Sequence, residues 1–359
     1  KFIRFPFKLY AGCDKWIPPF ISDMRVVLDK NKHPFNEHSD VAFFLAHTNG
    51  DVVGRIAAIE NKPYNQYHQA TQASFYYFET IEDQEVANVL FEQVFEWMRK
   101  KNLTKLVGPK GLGPLDGYGI LVKGFEHRPM MTMMNYNYPY YPGLLENIGF
   151  EKEVDFVSAY VHRSKFHMPE KVHEIARRIQ ERGTFRVLEF NNKRELKAWA
   201  GKIGQAYNQT FVNNWEYYPL SAREISFVVD SIISTADPHL IKIILHNEDI
   251  VGFLFAFPDI SSALQRQIGR LTPWAIADFL MEMRRTKWVA INGGGVLPQY
   301  HGRGGNALLY SEMEKTASAY HFDHIDMTQV AETASQMRKD LVTLGGEFYK
   351  NHRVFYKNI

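Results

Sequence analysis

Only one cysteine, Cys13, occurs in the 359 residues, so an intramolecular disulfide and any cysteine-built metal site are excluded. This fits a reducing compartment, and the expected location is cytoplasmic. Long hydrophobic runs are also lacking. Nothing approaches the roughly 20 apolar residues that span a bilayer, and Lys1-Phe2-Ile3-Arg4-Phe5-Pro6 has no apolar leader segment, so no membrane partner is expected. Charge of one sign is not in excess: 42 basic against 40 acidic residues leave +2, too little field to gather nucleic acid. Lys100, Lys101 and Lys105 form a small basic group that reads as a solvated helix end. The 14 histidines show no recognisable metal spacing. His321 and His324 stand near Asp323 and Asp326, but neighbours along a strand point to opposite faces, so no metal is expected.

What the chain does contain is enough apolar residues, 45%, to fill sizeable cores over two or three domains. The pattern repeats an order of elements. In the first half, Phe2 to Pro6 reads as a strand, Ala42 to His47 and Val52 to Glu60 as a hairpin turned at Asn49-Gly50-Asp51, and Ala73 to Glu79 as a strand. A helix follows over Glu85 to Lys100, then short strands at Lys105 to Gly108 and Met130 to Met134, a helix over Tyr140 to Asn147 and a strand over Val154 to Val161. The second half offers a strand at Phe185 to Phe190, a helix at Arg194 to Tyr207 and a hairpin of Leu240 to Leu245 with Ile250 to Phe257. A strand over Trp288 to Leu297, a helix from Ala307, a strand over Ile325 to Val330, a helix over Thr333 to Leu344 and a strand over Arg353 to Tyr356 complete it. The expectation is an α+β fold, a mixed sheet with flanking helices, in two tandem domains. Their bounds are 1–165 and 184–359, joined by a helical connector over 166–183, with an insertion over 261–287 that covers a site or forms a contact.

The most informative stretch is Val296-Leu297-Pro298-Gln299-Tyr300-His301-Gly302-Arg303-Gly304-Gly305-Asn306-Ala307, where a buried strand runs through a glycine turn into a helix. Free amides at a helix start, together with the helix dipole, favour an anion there. Glycines at 302, 304 and 305 let a ligand approach the main chain. A glycine-bearing strand-to-helix turn is also ordinary in α/β proteins, so the loop alone does not decide.

The order Val-x-Pro followed by glycines opening a helix resembles the acyl-CoA loop of the GNAT superfamily of N-acyltransferases. His301 stands where that pattern has Arg or Gln, and Asn306 where it has a small residue. Val53-Gly54-Arg55-Ile56-Ala57-Ala58, Gly108-Pro109-Lys110-Gly111, Asn135-Tyr136-Asn137-Tyr138-Pro139-Tyr140-Tyr141 and the closing Leu344-Gly345-Gly346-Glu347-Phe348-Tyr349-Lys350 are similar to bacterial tandem-GNAT proteins of unassigned substrate. The resemblance implies two GNAT-like domains and acetyl-CoA, or another acyl-CoA, as co-substrate. It places Val296 and Leu297 along the pantetheine, and His301, Gly302, Arg303, Gly304, Gly305 and Asn306 at the diphosphate. The matching turn of the first half, Thr80-Ile81-Glu82-Asp83-Gln84-Glu85, has no glycine and carries carboxylates that would repel phosphate, so the first domain is read as a degenerate copy.

Transfer of an acyl group to an amine needs a base for the ammonium proton. Glu332, just past the strand 325–330, and Asp259, at the end of the hairpin, are the candidates, each also readable as a surface or capping carboxylate. Leu341 occupies the place where many relatives have a tyrosine acid. Trp215, Tyr217, Tyr138 and Tyr140 are candidate walls for a small amine or amino-acid-like acceptor, or simply packing aromatics. The turn 108–119, with Lys110 and Asp116, lacks the ending of a nucleotide loop and reads as a rigid surface turn beside a groove. Three activities remain: direct N-acyl, most simply acetyl, transfer; acyl-CoA or other ligand binding without turnover; and Fem-type aminoacyl transfer from tRNA, which the near-zero net charge disfavours.

Overall fold

Asn49 and Gly50 take φ of 52° and 86°, the left-handed pair that a two-residue hairpin turn requires. They join strand β1 (Asp40–Thr48) antiparallel to β2 (Asp51–Glu60). The computed structural model describes residues 1–130, 133–212 and 214–359, without the side chain of Ser234. The chain divides into two compact units, residues 1–157 with 260–284 and 349–359, and residues 158–259 with 285–348.

In the first unit β2 pairs antiparallel with β3 (Gln72–Thr80), which pairs parallel with β4 (Lys105–Gly108). That parallel register covers only Gln72 to Ser74 against Lys105 to Val107. Tyr77, with φ of 51°, bends β3 just beyond it. The helix Gln84–Arg99 buries Val86, Leu90, Val94 and Met98 at helical spacing, and Asp83 caps it by accepting from the amides of Glu85 and Val86 at 2.8 and 3.3 Å. β5 (Ile120–Lys123) and the first half of β6 (Glu151–His162) follow. The last strand of the chain, Glu347–Asn358, pairs antiparallel with β4 and β5.

The insertion also belongs to this unit. Its helices Ser261–Gln267 and Pro273–Arg285 bring Ile260, Leu264 and Phe279 onto Ile17 and Phe20, with the Phe20 and Phe279 rings 5.5 Å apart. The Ile21 amide donates to the Gly269 carbonyl at 3.0 Å. The bounds 1–165 and 184–359 therefore do not describe the compact units, because the insertion and the last strand bury their apolar faces in the first one.

The second unit contains the latter half of β6, β7 (Arg186–Leu188), β8 (Ile241–His246), β9 (Asp249–Pro258), β10 (Trp288–Val296) and β11 (His324–Ala331), and the chain closes with β12, the strand 347–358 already described. β7, β8, β9 and β10 run antiparallel in that order, and β10 pairs parallel with β11. The parallel pairing covers Trp288 to Ile291 against His324 to Met327 and then stops. At that point β10 slips its register against β9 between Ile291 and Gly294, and Gly293 adopts φ of 83°. Helix Gly305–Ala319 buries Leu308, Leu309 and Met313 on Ile244, Leu254 and Val296. The connector forms helix Glu170–Arg182, which buries Ala176 and Ile179 in the same core.

Several local expectations shift. Residues 5–9 form a helix, not the strand expected over Phe2 to Pro6. The helix expected over Arg194 to Tyr207 is two, Lys193–Ala198 and Ala200–Thr210, broken at Trp199. The strand expected over Met130 to Met134 includes residues 131 and 132, which lie outside the described residues. Among the described residues, no helix is long and apolar enough to cross a membrane.

Candidate functional site

Where β10 and β11 part, the second unit holds a cavity of about 270 Å³. Ile291 to Gly294 line one side and Met327 to Ala331 the other, while Tyr310, Met313, Glu314 and Ala317 face it from helix Gly305–Ala319. Those spacings of three and four put the four side chains on one helical face. Met337 and Leu341, one turn apart on helix Ser335–Thr343, face it as well. The lining is mostly apolar, since Met313, Phe322, Ile325, Met327 and Leu341 belong to the core of the unit and would pack solidly if the strands stayed paired.

Few polar groups enter. Asn292 offers a buried Nδ2 that has no hydrogen-bond partner. Glu314, the sole carboxylate of the lining, holds Oε2 3.3 Å from His173 Nε2, outside hydrogen-bond geometry. Tyr310 donates weakly to Met337 Sδ at 3.6 Å, and burial holds its phenol above the ordinary range, so the hydroxyl keeps its proton at neutral pH. A site of this composition can hold an apolar chain, with a carboxylate and an amide donor in its wall.

The glycine loop lies at the start of helix Gly305–Ala319. Gly304 is its N-cap in the left-handed region, with no side-chain cap. Among the described residues, the amides of Gly304, Gly305, Asn306 and Ala307 donate to no main-chain acceptor, as expected for a first helical turn. Two of the glycines have a packing reason. A Cβ on Gly304 would sit 2.3 Å from Ile179 Cδ1, and one on Gly305 would lie 3.1 Å from Ile244 Cδ1, so packing gives a reason for glycine there that is separate from the approach of a ligand. Gly302, with φ of 74°, faces open space. His301 Nε2 lies 2.7 Å from the Val296 carbonyl and so donates to it, closing the turn. Arg303 is exposed, its guanidinium 5.2 Å from the centre of the Tyr300 ring, and Asn306 is exposed. The Leu297 amide is taken by the Val251 carbonyl at 2.8 Å, which removes it as a donor to pantetheine, while Val296 pairs with Gly252 in the sheet.

The remaining expected residues scatter. Asp259 is 1% exposed, its amide bonded to the Trp288 carbonyl at 3.0 Å, and it does not line the cavity. Glu332 lies next to the lining residues Val330 and Ala331 without being one, and its carbonyl accepts from Arg338. Trp215 and Tyr217 are half-buried in the second unit, away from the cavity lining. Tyr138 and Tyr140 pack on the core of the first unit, their hydroxyls donated to the carbonyls of Leu9 and Thr80 at 3.1 and 2.7 Å. Asn292 and Glu314 were not anticipated. A polar residue ahead of Gly293-Gly294-Gly295 in an apolar strand, and a carboxylate four residues after Tyr310 on an apolar helix face, were the available signals. Among the described residues, no three acidic, histidine or cysteine side chains gather as a metal site.

No protein-family model matches the chain. Over 370 residues it is 26% identical to a bacterial ceramide synthase of Caulobacter vibrioides, covering 99% of this chain and 94% of that protein. Protein YghO of Escherichia coli is 24% identical over 366 residues, covering 100% and 92%. Among solved structures, a tandem GNAT protein from the clavulanic acid biosynthesis pathway superposes with a TM-score of 0.53 at 10% identity, covering 99% of this chain and 94% of that one. The fold is that of the tandem GNAT proteins, a mixed α/β architecture with flanking helices.

Proposed function

We propose that the second unit binds an acyl-CoA and that the protein transfers its acyl group to an amine to form an amide. The observation that carries this reading is the apolar cavity at the parted strands β10 and β11, roofed by helices Gly305–Ala319 and Ser335–Thr343. The acyl chain occupies that cavity, and the diphosphate lies against the free amides of Gly304 to Ala307, with Arg303 adding charge at the rim. A mostly apolar lining favours a chain longer than acetyl, since burying each methylene contributes about 0.8 kcal/mol. The similarity to a ceramide synthase supports the same choice, because a ceramide is the amide of a fatty acid and a long-chain amino alcohol.

In the reaction the amine nitrogen attacks the thioester carbonyl carbon, a C–N bond forms, and the C–S bond breaks. The proton lost by nitrogen ends on the departing thiol. Glu314 is the group in the cavity able to accept that proton, and Asn292 Nδ2 is the donor able to stabilise the oxyanion. Glu332 remains a second base, beside the lining, whereas the burial of Asp259 outside it disfavours that residue.

The test is incubation of the protein with palmitoyl-CoA and a long-chain amino alcohol, following free thiol and the N-acyl product by mass spectrometry, with acetyl-CoA in parallel. Amide formed faster from the long-chain donor is the expected result. Binding of both donors without thiol release across a panel of amines would instead support the non-catalytic reading, which the apolar Leu341 favours.

A further inference from the structure

The first unit contains a cavity of about 430 Å³ of different character. It lies beside the bend in β3, between Tyr76 to Glu79 on one side and the turn containing Asp116 on another, with residues 15–20 of the N-terminal segment opposite. The charges around it do not balance. Arg55, 2% exposed, gives its Nε–H to Glu79 and an Nη1–H to the Phe2 carbonyl at 2.8 Å, and its guanidinium lies 4.7 and 5.2 Å from the ring centres of Phe2 and Tyr77. That cation is committed. Lys15 is 3.5 Å from Asp14. Three carboxylates, Asp23, Glu79 and Asp116, thus line the cavity against two cations, Arg55 and Lys15, and among the described residues no ion pair reaches Asp116 or Asp23.

Asp116 is held in place. Its Oδ2 accepts from the amides of Leu112 and Gly113 at 2.7 and 2.9 Å, which folds the turn around the carboxylate. Burial raises the carboxyl group of Asp116 above its ordinary range, with only the two backbone amides to oppose it, so a cation beside it would favour its charged form. Asp23 is exposed to solvent at the rim. Aromatic side chains line the same space, Trp16, Tyr76 and Tyr136 among them, and Met24 and Ile17 add apolar surface. Carboxylate together with aromatic faces is the chemistry that recognises an organic cation. An anion would meet repulsion, and a neutral alcohol would leave Asp116 uncompensated.

We propose that this cavity binds an organic ammonium ion with an apolar flank, its nitrogen placed on Asp116 among the aromatic rings. The site stands on the first unit alone, so loss of the acyl-transfer reading would leave it in place, and its own failure would leave that reading untouched.

The experiment is isothermal titration of the full chain with hexylammonium and, separately, with 1-hexanol, its neutral isostere. Saturable binding of hexylammonium, with hexanol weaker by about tenfold or more, is expected, because one charge-assisted hydrogen bond is worth that much. Asp116→Asn keeps an oxygen for the amides of Leu112 and Gly113 but removes the charge, and should weaken hexylammonium by about tenfold while leaving hexanol unchanged. Asp23→Asn should weaken it less. Absence of saturable hexylammonium binding, equal affinity for hexanol, or an unchanged affinity in a folded Asp116→Asn protein would each overturn the proposal. Should that variant fail to fold, the comparison of the two ligands on the native chain decides.

Discussion

Replacing Gly304 by alanine separates the two reasons a glycine can stand at the start of helix Gly305–Ala319. The backbone there has φ of 84°, and holding alanine in the left-handed region costs about 1–2 kcal/mol. The new methyl would also fall 2.3 Å from Ile179 Cδ1 and 2.8 Å from Ile175 Cγ2, both on helix Glu170–Arg182. Forcing those side chains aside adds about 1–3 kcal/mol, the usual cost of overpacking. The expected loss is therefore about 2–5 kcal/mol. Gly302→Ala bears the first cost without the second, because nothing lies within 4 Å of its Cβ position.

The assay is urea unfolding followed by circular dichroism, reading the midpoint at unchanged slope. Ile179→Val in the Gly304→Ala background removes the atom responsible for the closest approach, so the two changes together should cost less than their sum by about 1 kcal/mol. The coupling should be absent when Ile179→Val is combined with Gly302→Ala. If Gly304→Ala destabilised no more than Gly302→Ala, or showed no coupling to residue 179, the packing explanation would be wrong. The glycine would then be serving a bound ligand, which a matched fall in CoA affinity for both variants would reveal.

Filling the acyl cavity with Ala317→Trp should abolish turnover of palmitoyl-CoA while sparing acetyl-CoA, measured as thiol release; equal loss for both donors would argue against a chain-binding cavity. Glu314→Gln should lower kcat by about 10²-fold or more with little change in KM for the donor, the range seen for a missing general base, and an unaltered kcat would remove it from that role. His352 offers a pH test. It is fully buried with Nε2 2.9 Å from the Asn135 carbonyl, and burial pushes its pKa down to about 4. The unfolded chain takes up a proton near pH 6.5 that the folded one refuses until about 4, so its contribution is intact above 6.5 and is lost as pH falls towards 4. The loss is at most about 3 kcal/mol, and the urea midpoint of His352→Gln should show a shallower decline over that window if the histidine is responsible.

Much of the fold was readable because its signals are local. Asn49-Gly50 dictates a turn, the helix Gln84–Arg99 carries its apolar stripe and its cap in adjacent residues, and the chain from Trp288 through the glycine loop shows strand, turn and helix in succession. The helix Lys62–His68, started by Pro63 and capped by Asn61, is not legible from hydrophobic period because it buries no side chain. Tyr138 and Tyr140 read equally well as pocket walls or as packing; the carbonyls that take their hydroxyls lie 129 and 60 residues away, and no spacing rule connects them.

What the sequence determined by itself is most of the longer strands and helices and their order, since hydrophobic period, caps and turn residues act over a few neighbours. Only the tertiary structure decided where those elements go. The insertion and the last strand join the first unit because their apolar faces find cover there, far along the chain from where they are encoded. It also decided which side chains share a space. Asn292 and Glu314 line one cavity because β10 and β11 stop pairing after Ile291 and Met327, and Arg55 pairs with Glu79, a partner 24 residues away, at the cavity that Asp116 also lines. Hydrogen bonds and ion pairs between distant residues saturate one another, and that competition is settled only once the chain has folded.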